Sequence, residues 1–302
     1  MGRPQSAMPT DPPAEPRPTD AADAADASAG LDAAGPKAAG RPPVRLDDAI
    51  ASDPLTLASH VREFGFAVAR QVVDPALVRG IREIALRDRD RRVPPFELEA
   101  ELSYPGAPDM GGAGAGTIRR LLQAHGRGPA LTHWLTDPAM LAVIRELFGP
   151  TIACPLAHHN CLMTKEPQFS SETGWHQDVR YWSFARPDLC SVWLPLGPER
   201  ERNGALRVVP GSHRETFPPD RFDDAKFFRA DHPENAAWLD CQLTVELDVG
   251  DVLFFHARTL HAAGRNRTDE AKFAAVFTFR PIDNPPEPGS RSASLPELLI
   301  HA

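Results

Sequence analysis

After Pro150 the chain breaks into short apolar runs divided by turn signals, and that rhythm limits the possible folds more than any other feature. The runs cover residues 152–163, 174–184, 189–196, 205–209, 242–247, 252–255, 260–263 and 272–279. Asn203-Gly204, Pro210-Gly211-Ser212, Val249-Gly250-Asp251 and residues 265–268 separate several of them, the residue types that favour tight turns. Roughly eight short strands at this spacing predict an antiparallel jelly roll, a double-stranded β-helix barrel of the cupin kind. The longest interval, residues 214–240, is too long for a turn. It carries Phe222, Phe227, Phe228, Arg221, Lys226 and Arg229 and reads as a candidate substrate lid.

The first half reads differently. Residues 54–65 place apolar side chains at helical spacing and stop at Gly65; residues 66–73 read as a strand. Asp74-Pro75 opens a second helix through Leu77, Val78, Ile81, Ile84 and Leu86, and Asp137-Pro138 opens another that ends at Gly149-Pro150. The class is therefore mainly β with flanking α-helices. Residues 1–45 consist largely of Ala, Pro, Asp, Gly and Thr and hold too little apolar surface to offset backbone entropy, so a disordered tail is expected there. The remaining residues, 46–302, fit one domain: a helical part at 46–150 and a jelly-roll core at 151–281. The glycine-rich stretch 112–116 follows Pro105–Met110 rather than a strand, which argues for a surface loop or mobile lid over a phosphate cradle.

Charge and cysteine content remove several classes of function. A net charge of −8 is the wrong sign for nucleic-acid binding. Arg87, Arg89, Arg91 and Arg92 alternate with Asp88 and Asp90 and read as a solvated helix end. No apolar run approaches the roughly 20 residues that span a bilayer, and the N-terminus carries no secretory or mitochondrial pattern. Cys154, Cys161, Cys190 and Cys241 form no Cys-x-x-Cys pair; the last three sit in strand-like runs and read as buried, reduced thiols. The expectation is a cytoplasmic protein that acts on a small molecule, with no nucleic-acid or membrane partner; the sequence leaves its oligomeric state open.

Two segments carry chemistry. In Gly174-Trp-His-Gln-Asp178, His176 and Asp178 are two residues apart, so on a strand both point to one face. An imidazole and a carboxylate converging on one point suit a divalent metal, and a distant histidine would complete a 2-His-1-carboxylate triad with open positions for O2 on Fe(II). The second segment, residues 250–268, runs from an acidic turn through an apolar strand and offers two histidines, His256 and His261; Lys272 then opens the last strand. His158 and His159 are adjacent on a strand, so at most one faces inward. His213, in Pro-Gly-Ser-His, reads as a turn residue.

Trp175-His-Gln-Asp178, Asn203-Gly-Ala-Leu-Arg-Val-Val-Pro-Gly-Ser-His213 and residues 250–272, in this order, resemble the phytanoyl-CoA dioxygenase family of 2-oxoglutarate oxygenases, over roughly Phe64 to Pro281. The resemblance implies iron ligands His176, Asp178 and His261, because His261-Ala-Ala-Gly264-Arg-Asn266 follows the family pattern and His256 does not. It implies 2-oxoglutarate as co-substrate with O2. The family arginine that grips the far carboxylate is replaced by Lys272, a point charge in place of a bidentate fork. Trp193 and, more loosely, Arg120 match co-substrate residues; Arg280, farther along the last strand, is the fallback anchor. With Asp178 present, hydroxylation is favoured over the halogenation of relatives that lack this carboxylate. The competing readings are a non-catalytic barrel that binds a metal or metabolite and a zinc hydrolase.

Overall fold

A computed structural model describes residues 44–102 and 104–301; the tail expected at 1–45 lies almost wholly outside them. The three long helices share one start device. In α1 (Pro54–Phe64) Asp53 accepts from the Thr56 amide at 2.8 Å; Asp74 caps α2 (Pro75–Asp90) through Ala76, and a third Asp-Pro pair opens a later helix. The aspartate satisfies an amide that the helix cannot, and proline takes the first position, where its missing N–H costs nothing. Gly65 ends α1 with φ +86°, and a Cβ there would lie 2.6 Å from both His213 and Thr259, so only glycine fits the turn.

Strands already appear before residue 150. β1 (Ile50–Ala51) and β2 (Phe66–Ala69) flank α1; β3 (Phe96–Leu98) and β4 (Ile118–Leu122) follow α2. The short α3 (Pro129–Leu135) and the longer α4 (Pro138–Phe148), the latter capped by Asp137, lead to β5 (Ile152–Pro155) and β6 (Asn160–Lys165). Then come β7 (Thr173–His176), β8 (Cys190–Pro195) and β9 (Leu206–Val208). The interval expected as a lid contains α5 (Pro233–Leu239). The chain ends with β10 (Leu243–Thr244), β11 (Val252–His256), β12 (His261–Ala263), β13 (Lys272–Pro281) and β14 (Glu297–Ile300).

The strands form two sheets. The larger has the order β1-β2-β11-β8-β13-β6-β4-β3, with β5 on the far end of β13 and β14 beyond it; the smaller is β10-β9-β12-β7. Among the described residues neither closes on itself and no strand of one pairs with the other, so the jelly roll is an open two-sheet sandwich and the expected barrel is not closed. Alternation along β13 divides its side chains between two layers. Phe273, Ala275 and Phe277 face the helices with Val192, Leu194 and Phe254, whereas Ala274 and Val276 face the smaller sheet with Trp193, Phe255, Leu206 and Val208. Both faces are dry, which explains the continuous apolar runs in the sequence. Full burial of each large side chain contributes roughly 1.5–3 kcal/mol.

Several local expectations change. The run at 174–184 is a strand only to His176; residues 178–181 form a 3-10 turn. The run at 152–163 is interrupted between β5 and β6, because residues 156–159 turn the chain from the β13 edge near Arg280 to the stretch opposite Phe277. Phe96–Leu98, in the Gly- and Pro-rich stretch Pro94–Gly116 that reads as a surface loop or mobile lid, is a strand that pairs with β4. Asp88 is not solvated: it is 1% exposed and held by Arg127 at 2.9 Å and by Arg87. Cys154, Cys161 and Cys190 are buried, whereas Cys241 is exposed just after α5; all four are free thiols.

Candidate active site

The antiparallel pairing of β7 with β12 sets His176 directly opposite His261, with ring centroids 4.2 Å apart. Gln177 stays extended, so Asp178 returns to the same side before the 3-10 turn begins. Its Oδ1 lies 3.8 Å from Nε2 of His176 and 3.7 Å from Nε2 of His261. One ligand atom from each residue falls within 4.8 Å of the others, and all three side chains are buried. Each imidazole is held from behind: Nδ1 of His176 donates to the Gly174 carbonyl at 2.8 Å, and Nδ1 of His261 to the Thr259 carbonyl at 3.0 Å. A carbonyl can only accept, so the proton sits on Nδ1 and both Nε2 lone pairs face the gap. Burial pushes His176 well below the ordinary histidine range, and the nearby His261 and Arg180 charges push the same way. Two imidazoles and a carboxylate converging on one gap form a donor set that fits one divalent iron.

Around Asp178 the structure adds a residue with no assigned role in the sequence. His159 is the inward member of its pair, with Nδ1 3.6 Å from Asp178 Oδ2; burial lowers its pKa, against the pull of Asp178. His158 points away and bonds Ser292 at 2.7 Å. Ser191 lies 3.5 Å from the same carboxylate oxygen and 2.9 Å from Thr278. His256 lies outside the triad, packed on His213 at 5.4 Å, and burial lowers its pKa to about 3. His213 is itself buried, with Nε2 3.1 Å from the Arg62 carbonyl.

The expected co-substrate residues all carry internal partners. Lys272 donates to Glu199 at 3.0 Å, both side chains nearly inaccessible, and the Trp193 indole donates to the other oxygen of Glu199 at 2.9 Å. Arg120 forms a double hydrogen bond with Glu97. Arg280 is tied to Glu297 and to two carbonyls near the other end of β13, which removes it as the fallback anchor. Directly across the ladder from Lys272 stands Lys165. Its Nζ donates to the Ser171 carbonyl at 2.9 Å. Burial, with Arg119 and Lys272 adding to it, lowers its pKa to about 7. Glu199 sits in a Glu-Arg-Glu-Arg run that reads as solvent-facing, so no sequence signal marked it; a lysine continuing an apolar strand was the available signal for Lys165.

The interval 214–240 is fastened beside the triad. Phe228 donates its amide to the Trp175 carbonyl at 2.7 Å and packs with Phe217 and Phe222 on the outer face of the smaller sheet. Tyr181 donates its hydroxyl to the Ala225 carbonyl at 3.0 Å. Phe227 turns the other way and meets His176 edge-on at 5.9 Å. Arg221 is internal to the interval, paired with Glu234 and Asn235.

The profile of the family described as phytanoyl-CoA dioxygenase (PhyH) matches residues 61–274. The chain belongs to the phytanoyl-CoA dioxygenase family. A probable phytanoyl-CoA dioxygenase of Caenorhabditis elegans is 29% identical over 148 residues, 47% of each chain. The human peroxisomal phytanoyl-CoA dioxygenase is 29% identical over 164 residues, 51% of this chain and 46% of that one. The matched stretch thus spans about half the length of these curated relatives. Among solved structures, the epimerase SnoN in complex with Fe3+, alpha ketoglutarate and nogalamycin RO has the same fold, with a TM-score of 0.61, 22% identity and coverage of 80% of this chain and 90% of that one. In this phytanoyl-CoA dioxygenase family member the first two motif segments lie in the smaller sheet, and the third runs from β11 of the larger sheet through β12 to the start of β13.

Proposed function

We propose that this chain is an Fe(II)- and 2-oxoglutarate-dependent dioxygenase that hydroxylates a small-molecule substrate. The observation that carries the reading is the buried gap between His176, Asp178 and His261, with both imidazoles fixed by backbone carbonyls. These three residues would hold the iron. When bound, iron and 2-oxoglutarate supply the activation of O2, with the keto acid leaving as succinate and CO2 and the substrate gaining a hydroxyl group. The protein's own residues do the placing. Gly174 and Thr259 hold each imidazole, Ser191 and His159 hold Asp178, and Phe227 excludes water on the His176 side.

The far carboxylate of 2-oxoglutarate is assigned to the buried lysine pair. Lys272 is matched by Glu199 and Arg119 by Glu99, which leaves Lys165 as the ammonium with no carboxylate within ion-pair distance among the described residues. One unmatched positive charge suits one incoming carboxylate. Trp193 would wall the pocket, and Arg120, locked on Glu97, would act through shape and field rather than by direct contact. Four free thiols fit a reducing compartment, and we assign the cytoplasm on that basis; no helix among the described residues is long and apolar enough to cross a membrane.

Succinate formation from 2-oxoglutarate under Fe(II) tests the reading against a non-catalytic barrel and against a zinc hydrolase, since neither forms it. His176→Ala, Asp178→Ala and His261→Ala should each lose the bound iron and all succinate formation, whereas His256→Ala should keep both. Iron retained by His261→Ala and lost by His256→Ala would overturn the ligand set.

A further inference from the structure

Five arginines buried or part-buried in this fold meet carboxylates. Arg119 meets Glu99, Arg120 Glu97, Arg127 Asp88, Arg221 Glu234 and Arg280 Glu297. Arg180 does not, and unlike Arg82, Arg145 and Arg258, which also lack a carboxylate and donate to backbone carbonyls, it stands beside the candidate triad. It lies two residues after Asp178, in the same 3-10 turn, and makes no ion pair among the described residues. One nitrogen donates to the Tyr104 hydroxyl at 3.0 Å, while Nη1 is buried with no hydrogen-bond partner. The guanidinium carbon lies 4.2 Å from the Phe227 ring centre and 4.7 Å from that of Tyr181. Phe227 in turn meets His176, so one ring touches both the cation and an iron ligand. Tyr104 packs edge-on against Phe227 at 5.2 Å.

A buried cationic donor left unused is costly unless something arrives to meet it. Aromatic faces partly offset that cost while leaving the Nη1 donor unspent, since a cation over a ring uses none of its hydrogen bonds. The rings come from three segments separated in sequence: Tyr104 from the stretch before β4, Tyr181 from the turn after Asp178, and Phe227 from the interval 214–240. All three converge on Arg180. An ion pair inside the protein would have been the simpler way to stabilise this charge, as the other five arginines illustrate.

We propose that Arg180 receives an oxyanion of the substrate, carboxylate or phosphoryl, and so fixes an acidic class of substrate beside the triad. The planar fork holds the anion, and the Tyr104, Tyr181 and Phe227 rings cover the apolar part next to it. This deepens the reading of the chain as an Fe(II)/2-oxoglutarate dioxygenase and rests on it.

The test uses anaerobic full-length protein loaded with Fe(II) and saturating 2-oxoglutarate, so that the co-substrate pocket is filled. Benzoate, phenylphosphonate and the neutral benzamide are titrated by calorimetry. The wild type should bind at least one of the two acids ten or more times tighter than benzamide. Arg180→Gln should reduce that preference below twofold, and Arg180→Lys should keep part of it. The tighter acid tells carboxylate from phosphoryl. The visible absorption of the iron–2-oxoglutarate complex is read on every sample and should be present in the wild type and in Arg180→Gln. No absorption in the wild type would overturn the dioxygenase reading itself. Absorption with equal binding of acid and amide, with no binding of either acid, or with the preference intact in Arg180→Gln, would overturn the role of Arg180 alone.

Discussion

Lys272 and Lys165 face each other across one ladder yet differ in what removal should cost. Lys272→Met leaves the Glu199 carboxylate, which is 0% exposed, with the Trp193 indole alone. An orphaned buried charge typically costs about 3–5 kcal/mol, so the variant should unfold at clearly lower denaturant, and Lys272→Met/Glu199→Gln should recover most of the loss. Equal stability of the single and double variants would show that the pair is not coupled. Lys165 has the opposite signature, because its pKa is lowered to about 7, first by burial and then by Arg119 and Lys272. Above the unfolded lysine value of about 10.4 both states are neutral and the burial carries no protonation cost. As pH falls from there toward 7 the unfolded chain takes up a proton that the folded chain refuses, so stability is lost across that window and the loss is complete below it. Lys165→Met should flatten this part of the stability profile. A carboxylate docking on Lys165 would raise its pKa. Binding of 2-oxoglutarate should therefore take up a proton above pH 7 and weaken with rising pH in the wild type, but not in Lys165→Met; calorimetry at pH 8 in buffers of different ionisation enthalpy reads that proton.

At the scale of elements, the site depends on short pairings that longer neighbours support. β7 and β12 are four and three residues long, yet their pairing aligns the two histidines. The interval 214–240 braces this sheet from outside through Phe228, whose side chain is 2% exposed and whose amide holds the Trp175 carbonyl. Phe228→Ala removes that packing, a change of a kind that costs roughly 3–5 kcal/mol where a core cannot collapse. Because the loss is local, amide exchange should accelerate across residues 215–240 and at 175–181 while β8 and β13 stay protected. Uniform acceleration in all strands would mean that the interval unfolds only with the whole domain. The same variant should weaken iron retention, since Trp175 precedes His176.

For the whole molecule, the described fold begins just after the compositionally biased tail. The Arg45 amide donates to the Asp48 carboxylate at 2.7 Å at the start of the turn Leu46–Ala49, Ala49 is fully buried, and β1 pairs in parallel with β2. Removing residues 1–45 should leave the melting temperature and succinate formation unchanged, since that stretch offers little apolar surface to bury. Extending the deletion through Ala51 strips the edge from β2 and should lower the melting temperature by several degrees. A drop already present in the shorter deletion would mean that the tail packs on the domain.

The sequence by itself determined the jelly-roll class, the Asp-Pro helix starts at Asp74 and Asp137 and the pairing of His176 with Asp178, while the resemblance to the family singled out His261 over His256; the fold brings these three residues together. These rest on local or periodic signals: turn residues, apolar runs, two ligands two positions apart and a histidine in a fixed motif. It did not determine the closing of the sheets, the strands at 96–98 and 118–122, the break after His176, or the burial of Asp88 and Glu199. Tertiary structure decided those, because whether a charged side chain is solvated or locked depends on partners distant in the chain. Glu199 lies 73 positions from Lys272, and Asp88 lies 39 positions from Arg127. Local pattern cannot encode such pairings. The arrangement around Arg180 has the same origin: each of its rings reads as an ordinary aromatic in its own segment, and only the packing of three segments shows a cation whose buried Nη1 has no hydrogen-bond partner among the described residues.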